Sequence, residues 1–134
     1  MPWLVAEEIA KVLRPGGLVL IETHFSFSEH ELPWHFFQFN KNALECLFNR
    51  SLGFEVVDSG MDNPMVGRYA FDAAEYLRGQ SISNLYCHSS IIARKVSSPS
   101  FGDGVDLWRA SYDEFIRGGM YPANTGLSST GPSP

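Results

Sequence analysis

Fourteen residues near the amino end, Ile9 to Glu22, constrain this chain more than any other stretch. They read IAKVLRPGGLVLIE: the end of a helix, a hard stop and a buried strand. Val5, Ile9, Val12 and Leu13 recur at helical spacing and predict one apolar face. Lys11 and Arg14 fall where cations favour the negative end of a helix. Pro15 cannot continue the ladder, and Gly16-Gly17 supplies the backbone freedom to turn the chain. Leu18-Val19-Leu20-Ile21 is an unbroken apolar run. Such a run predicts a strand covered on both faces, as in a parallel sheet between helix layers.

The elements around that stretch follow in order. Pro2 suits a first helical turn, Glu7 and Glu8 fall early in it, and a helix is predicted over Trp3 to Leu13. A strand is predicted over Leu18 to Glu22. A long polar-aromatic loop, THFSFSEHELPWHFFQF, covers Thr23 to Phe39. Asn40 is a candidate N-cap for a helix over Lys41 to Asn49, with Leu44, Leu47 and Phe48 on its apolar face. A second strand is expected over Phe54 to Val57, ending near Gly60, and a loop over Met61 to Gly67. A helix is expected over Tyr69 to Arg78, and a last strand over Leu85 to Lys95. Ser97 to Gly104 has linker composition. Val105 to Arg117 has helical spacing, and Pro122 to Pro134 has the composition of a disordered tail. The fold class expected is α/β, with residues 1–96 as the domain, 97–121 as linker and helix, and 122–134 as tail.

Bulk properties narrow the classes of function. A chain of 134 residues with 44% hydrophobic residues can bury a core. A net charge of −5 argues against a broad nucleic-acid footprint. No apolar run approaches the ~20 residues of a membrane span, and the amino end is acidic where a signal peptide is basic. Cys46 and Cys87 form no CxxC pair, so they are expected to be reduced thiols of a cytoplasmic protein.

The segment EEIAKVLRPGGLVLIET resembles the part of class I S-adenosylmethionine-dependent methyltransferases that leads from the helix after the fourth strand into the fifth. The resemblance runs from Pro2 to about Lys95. It implies a partial Rossmann-like sheet holding the equivalents of strands five, six and seven. SLGFEVVDSG would be the sixth. NLYCHSSIIARK would be the seventh, returning antiparallel between the other two. One branch of that family also carries a signature close to H-x-x-P-x-D-aromatic-aromatic-R-F in the loop after the fifth strand. His30, Pro33, Phe36, Phe37, Phe39 and Leu44 match it. His35 stands where Asp is usual and Gln38 where Arg is usual, which looks like a paired replacement of an ion pair.

That loop leaves the carboxyl end of a strand, where open α/β sheets bind ligands. His24, His30, His35, Phe36 and Gln38 are the candidate acceptor-binding residues, and an imidazole there suits general-base work. No catalytic residue is assigned. The competing reading is that Phe36, Phe37 and Phe39 anchor the loop on the sheet. A metal site from His24, His30 and His35 with Glu22, Glu29 and Glu31 has suitable ligand types but matches no standard spacing, and none is assigned.

The cofactor half of the family pattern is missing. The chain has no Gly-rich turn after a strand, and Gly16-Gly17 follows a helix instead. S-adenosylmethionine, the family's cofactor, is therefore not expected to bind this chain alone. The strand at Leu18 would then have a bare edge, which predicts a homodimer or a partner chain. Two functions are expected to compete: a shortened or split small-molecule methyltransferase contributing the acceptor loop, and a noncatalytic dimerisation or protein-binding module. A small independent enzyme using the His-rich loop for proton transfer is a third.

Overall fold

The computed structural model describes residues 1–99. The expected helix over 105–117 and the expected tail over 122–134 lie outside the described residues. Within them the chain is α/β: α1 (Pro2–Val12), β1 (Leu18–His24), α2 (Lys41–Leu47), a 3-10 turn (Arg50–Leu52), β2 (Phe54–Arg68) and β3 (Ser81–Lys95).

The three strands form one sheet in the order β1-β3-β2, with β3 antiparallel to both neighbours. β1 and β2 therefore run parallel to each other on either side of it. The last strand was expected between the other two, and it lies there. Register pairs Val19 with Ala93 and Ile21 with Ile91 on β3. These residues share one face with Phe54 and pack with Ala6 and Ala10 of α1 and Leu44, Phe48 and Leu52 around α2. That face is the core.

The opposite face departs from expectation. The strand at Leu18–Ile21 was expected to be covered on both faces, but Leu18 and Leu20 are 57% and 67% exposed. Alternation along a strand sends neighbouring side chains to opposite faces. Val19 and Ile21 therefore meet the helices, while Leu18 and Leu20 meet no second layer among the described residues. β1 is also an edge among the described residues, where it pairs only with β3.

α1 is rotated relative to its predicted apolar face. Ala6 and Ala10 are fully buried, with Ile9 and Leu13 packed beside them, whereas Val5 and Val12 are exposed. Small side chains let the helix axis approach the sheet closely, and hydrophobic spacing favours the larger residues. The helix ends as expected: Leu13 is extended, and Gly16 takes φ +86°. The Gly16 N–H then donates to the Lys95 carbonyl at 2.7 Å, and the Lys95 N–H donates to the Gly17 carbonyl at 2.8 Å. The start of β1 is thereby pinned to the end of β3.

Lys95 itself is buried in the core. Its Nζ donates to the carbonyls of Ala10 at 2.9 Å and Leu52 at 2.8 Å and lies 4.8 Å from the Phe54 ring centroid. Both carbonyls end helical segments, where backbone acceptors lack a partner and a cation is favoured. Burial pushes the Lys95 pKa below its usual value.

α2 starts as predicted, with Asn40 Oδ1 accepting from the Ala43 N–H at 2.9 Å. Between β2 and β3 two expectations fail. Met61–Gly67 was expected to be a loop and is strand, paired to β3 as far as Arg68↔Ser81. Pro64 and the glycines argue for a loop in sequence, but an edge strand tolerates them. Register shifts at Val56/Asp58 and Met65/Gly67 absorb the irregularity. Tyr69–Arg78 was expected to be a helix and forms successive turns closing the β2–β3 hairpin, with the Tyr69 N–H bonded to the Gln80 carbonyl at 3.0 Å. Phe71 is 93% exposed, so an apolar helix face there would have nothing to pack against among the described residues.

Candidate functional site: a histidine row at the end of β1

The chain contains four histidines, and the fold brings all four into one row. His24 ends β1 on the uncovered face of the sheet, and register places it opposite His88 of β3. Their ring centroids are 5.1 Å apart. His30 meets His24 edge-on at 4.9 Å, and His35 lies 4.3 Å beyond His30. Phe27 stacks on His24 at 4.7 Å with 13° between the planes.

Backbone and amide contacts hold the loop that carries three of these rings. The Phe25 N–H donates to the Cys87 carbonyl at 2.8 Å, and the Phe39 N–H donates to the His24 carbonyl at 3.1 Å. Ser89 Oγ donates to the Phe39 carbonyl at 2.5 Å. Between these anchors Gln38 closes the loop on itself. Its Oε1 accepts from the Phe27 N–H at 3.0 Å, and its Nε2 donates to the Phe27 carbonyl at 2.9 Å. The residue standing where the resembling signature has Arg is thus a backbone clasp.

The hydrogen bonds also assign the tautomers. His30 Nδ1 donates to the Ser28 carbonyl at 2.8 Å, because a carbonyl only accepts. His35 Nδ1 accepts from the His30 backbone N–H at 3.4 Å. Asn63 Nδ2 has only hydrogens to offer, so His88 Nδ1 accepts from it at 2.6 Å. Glu22 Oε1 lies 3.6 Å from the same nitrogen.

Glu22, Thr23, His24, His30, Glu31 and His88 line an open cleft of about 470 Å³ at this end of the sheet. Of the residues singled out in sequence, His24 and His30 line it. His35 backs His30, Gln38 is committed to Phe27, and Phe36 is 70% exposed and does not line the cleft. The expected aromatic anchoring of the loop is corrected in part. Phe39 packs on the core and stacks with Phe37 at 5.8 Å, Phe37 reaches Trp3 at 6.1 Å, and Phe36 makes no core contact.

Sequence reading missed His88 and Asn63. Their signal was cross-strand: an antiparallel partner for β1 carries a histidine opposite His24, which only register reveals. The Gly16-Gly17 turn lies at the other end of β1, roughly 20 Å away for seven residues of strand.

The rings meet through faces and edges, and among the described residues no group of three or more His, Cys, Asp or Glu is placed to hold a metal ion. Cys46 and Cys87 are free thiols, and burial raises the Cys46 pKa to about 11. No helix among the described residues is long and apolar enough to cross a membrane. The cleft offers imidazole nitrogens, two carboxylates and a hydroxyl, which suits a small polar ligand able to exchange a proton. Comparison with protein-family models, curated proteins and solved structures finds no match to this chain.

Proposed function

We propose that this chain forms the acceptor side of a class I S-adenosylmethionine-dependent methyltransferase, with the methyl donor held by other polypeptide. The observation that carries this reading is the strand order β1-β3-β2, with an antiparallel β3 between two parallel strands and a polar cleft at the carboxyl end of β1. That is the arrangement the resemblance implies for strands five, seven and six. Glu22, His24, His30 and His88 then bind a small-molecule acceptor, and an imidazole takes up its proton. The residues present do not fit the cofactor: Gly16-Gly17 is spent on pinning β1 to β3, at the end remote from the cleft.

The test is a calorimetric titration of the isolated chain with S-adenosylmethionine, followed by the same titration of the complex recovered from its own cells. The reading expects no heat for the chain alone and micromolar binding for the complex. Micromolar binding by the chain alone removes the split-site part of the reading. A chain recovered only as a homo-oligomer without binding removes the enzyme.

A second reading, a noncatalytic dimerisation or protein-binding module in the cytoplasm, is favoured by one observation. β1 is an edge strand with Leu18 and Leu20 exposed beside it. Edges of that kind pair with other chains unless they are protected.

A further inference from the structure

We propose that the histidine row is a pH-sensitive latch, holding the outer lobe of the loop, residues 28–37, against the end of the sheet when the rings are neutral and releasing it when they are protonated. Two independent geometries carry this. The first is the hydrogen bonding. His35 Nδ1 and His88 Nδ1 both act as acceptors, from the His30 N–H and from the Asn63 amide. A proton on either nitrogen turns an acceptor into a donor facing another donor, so both bonds are lost on protonation. His88 then has Glu22, at 3.6 Å, as its alternative partner. The Asn63 bond from β2 is exchanged for an ion pair to β1.

The second geometry is the spacing of the rings. Each neighbouring pair, from His88 through His24 and His30 to His35, lies between 4.3 and 5.1 Å. One cation in the row is tolerated, because acids face it from each side. These are Glu22 from β1, Glu31 from the loop and Asp62 of β2, the register partner of His88. A second cation on an adjacent ring meets a like charge at contact distance, and its ring moves away. His30 and His35 belong to the loop, whereas His24 and His88 are fixed in strands, so it is the loop that moves.

The latch has a defined limit. The Gln38 clasp on Phe27 involves no titrating group, and neither do the Phe39–His24 and Phe25–Cys87 backbone bonds. The base of the loop therefore stays closed in acid while the lobe between Ser28 and Phe37 opens. This widens access to the cleft without unfolding the domain, and it holds whatever ligand the cleft takes.

Nuclear magnetic resonance on the full chain between pH 8 and pH 5 tests the proposal. Backbone order parameters for residues 28–37 should fall from about 0.85 to below about 0.6 across that range. Those of β1, β3, Phe27 and Gln38 should hold. The variant His35→Gln with His88→Gln keeps two neutral acceptors and should flatten the response of the lobe. Rigid lobe amides down to pH 5 in the native chain overturn the latch, whatever the variant does. An unchanged response of the lobe in the variant overturns the assignment to these rings.

Discussion

Gln38 grips the backbone of Phe27 from both sides, accepting its N–H at 3.0 Å and donating to its carbonyl at 2.9 Å. A side-chain amide here mimics a rung of antiparallel sheet across eleven residues. It turns a seventeen-residue polar-aromatic segment, Thr23 to Phe39, into a closed loop with a defined base.

Replacing Gln38 by Ala removes both bonds. The site is exposed, so each is worth the lower part of the ~0.5–1.5 kcal/mol range, and the global cost should be about 1 kcal/mol. The larger effect should be local. Amide hydrogen exchange within 27–38 should rise well before the sheet responds. Gln38→Glu keeps the acceptor but sets a carboxylate against the Phe27 carbonyl, and should loosen the loop at least as much as Ala.

Lys95 should behave as a buried tie. Lys95→Met keeps the volume but leaves the Ala10 and Leu52 carbonyls unpaired, and unsatisfied buried groups cost about 1–3 kcal/mol each. Chemical denaturation should show a loss of about 2–4 kcal/mol near neutral pH. Burial lowers the Lys95 pKa in the folded state, so between that pKa and the usual 10.5 the unfolded chain binds more protons. Stability from this group therefore rises as pH climbs toward 10.5 and is lost as pH falls through the folded pKa. The difference between native chain and variant should widen as pH rises toward 10.5, and a constant difference would contradict the burial argument.

Gly16 and Gly53 share a left-handed backbone but not their surroundings. An added Cβ at Gly16, φ +86°, meets nothing within 4 Å, whereas at Gly53, φ +79°, it falls 2.1 Å from the Ser97 carbonyl oxygen. Gly16→Ala should cost only the backbone term, about 1–2 kcal/mol. Gly53→Ala should cost clearly more, since the strand-to-coil junction at Ser97 must shift. Thermal melts of the two variants side by side would separate strain from collision.

Leu20 tests the exposed edge. It is 67% exposed, so Leu20→Lys should change the stability of the folded chain by less than about 0.5 kcal/mol. Edge lysines oppose strand pairing between chains. If β1 joins two copies, light scattering of the variant should show half the native mass. An unchanged dimeric mass would place the association elsewhere, and a monomeric native chain would leave this edge without a second copy.

The elements nearest the amino end were legible because local chemistry specifies them. Pro15-Gly16-Gly17 ends a helix wherever it occurs, and Asn40 caps the next one with its own oxygen. The β2–β3 arm was not legible. Gly60, Pro64 and Gly67 read as loop until cross-strand pairing with β3 supplies what local propensity lacks. Tyr69–Arg78 has helical spacing but no surface among the described residues to bury it against, and spacing alone does not make a helix.

The site divides in the same way. His24, His30 and His35 were visible as loop residues of one type close together in the chain. Their arrangement as a row with His88, sixty-four residues from His24, is set by the register between β1 and β3. The sequence by itself determined where chains of apolar residues start and stop, because turns and caps are local. Only the tertiary structure decided which face of β1 is bare, which residue Gln38 holds and which rings touch, because those depend on pairing between strands distant in the chain.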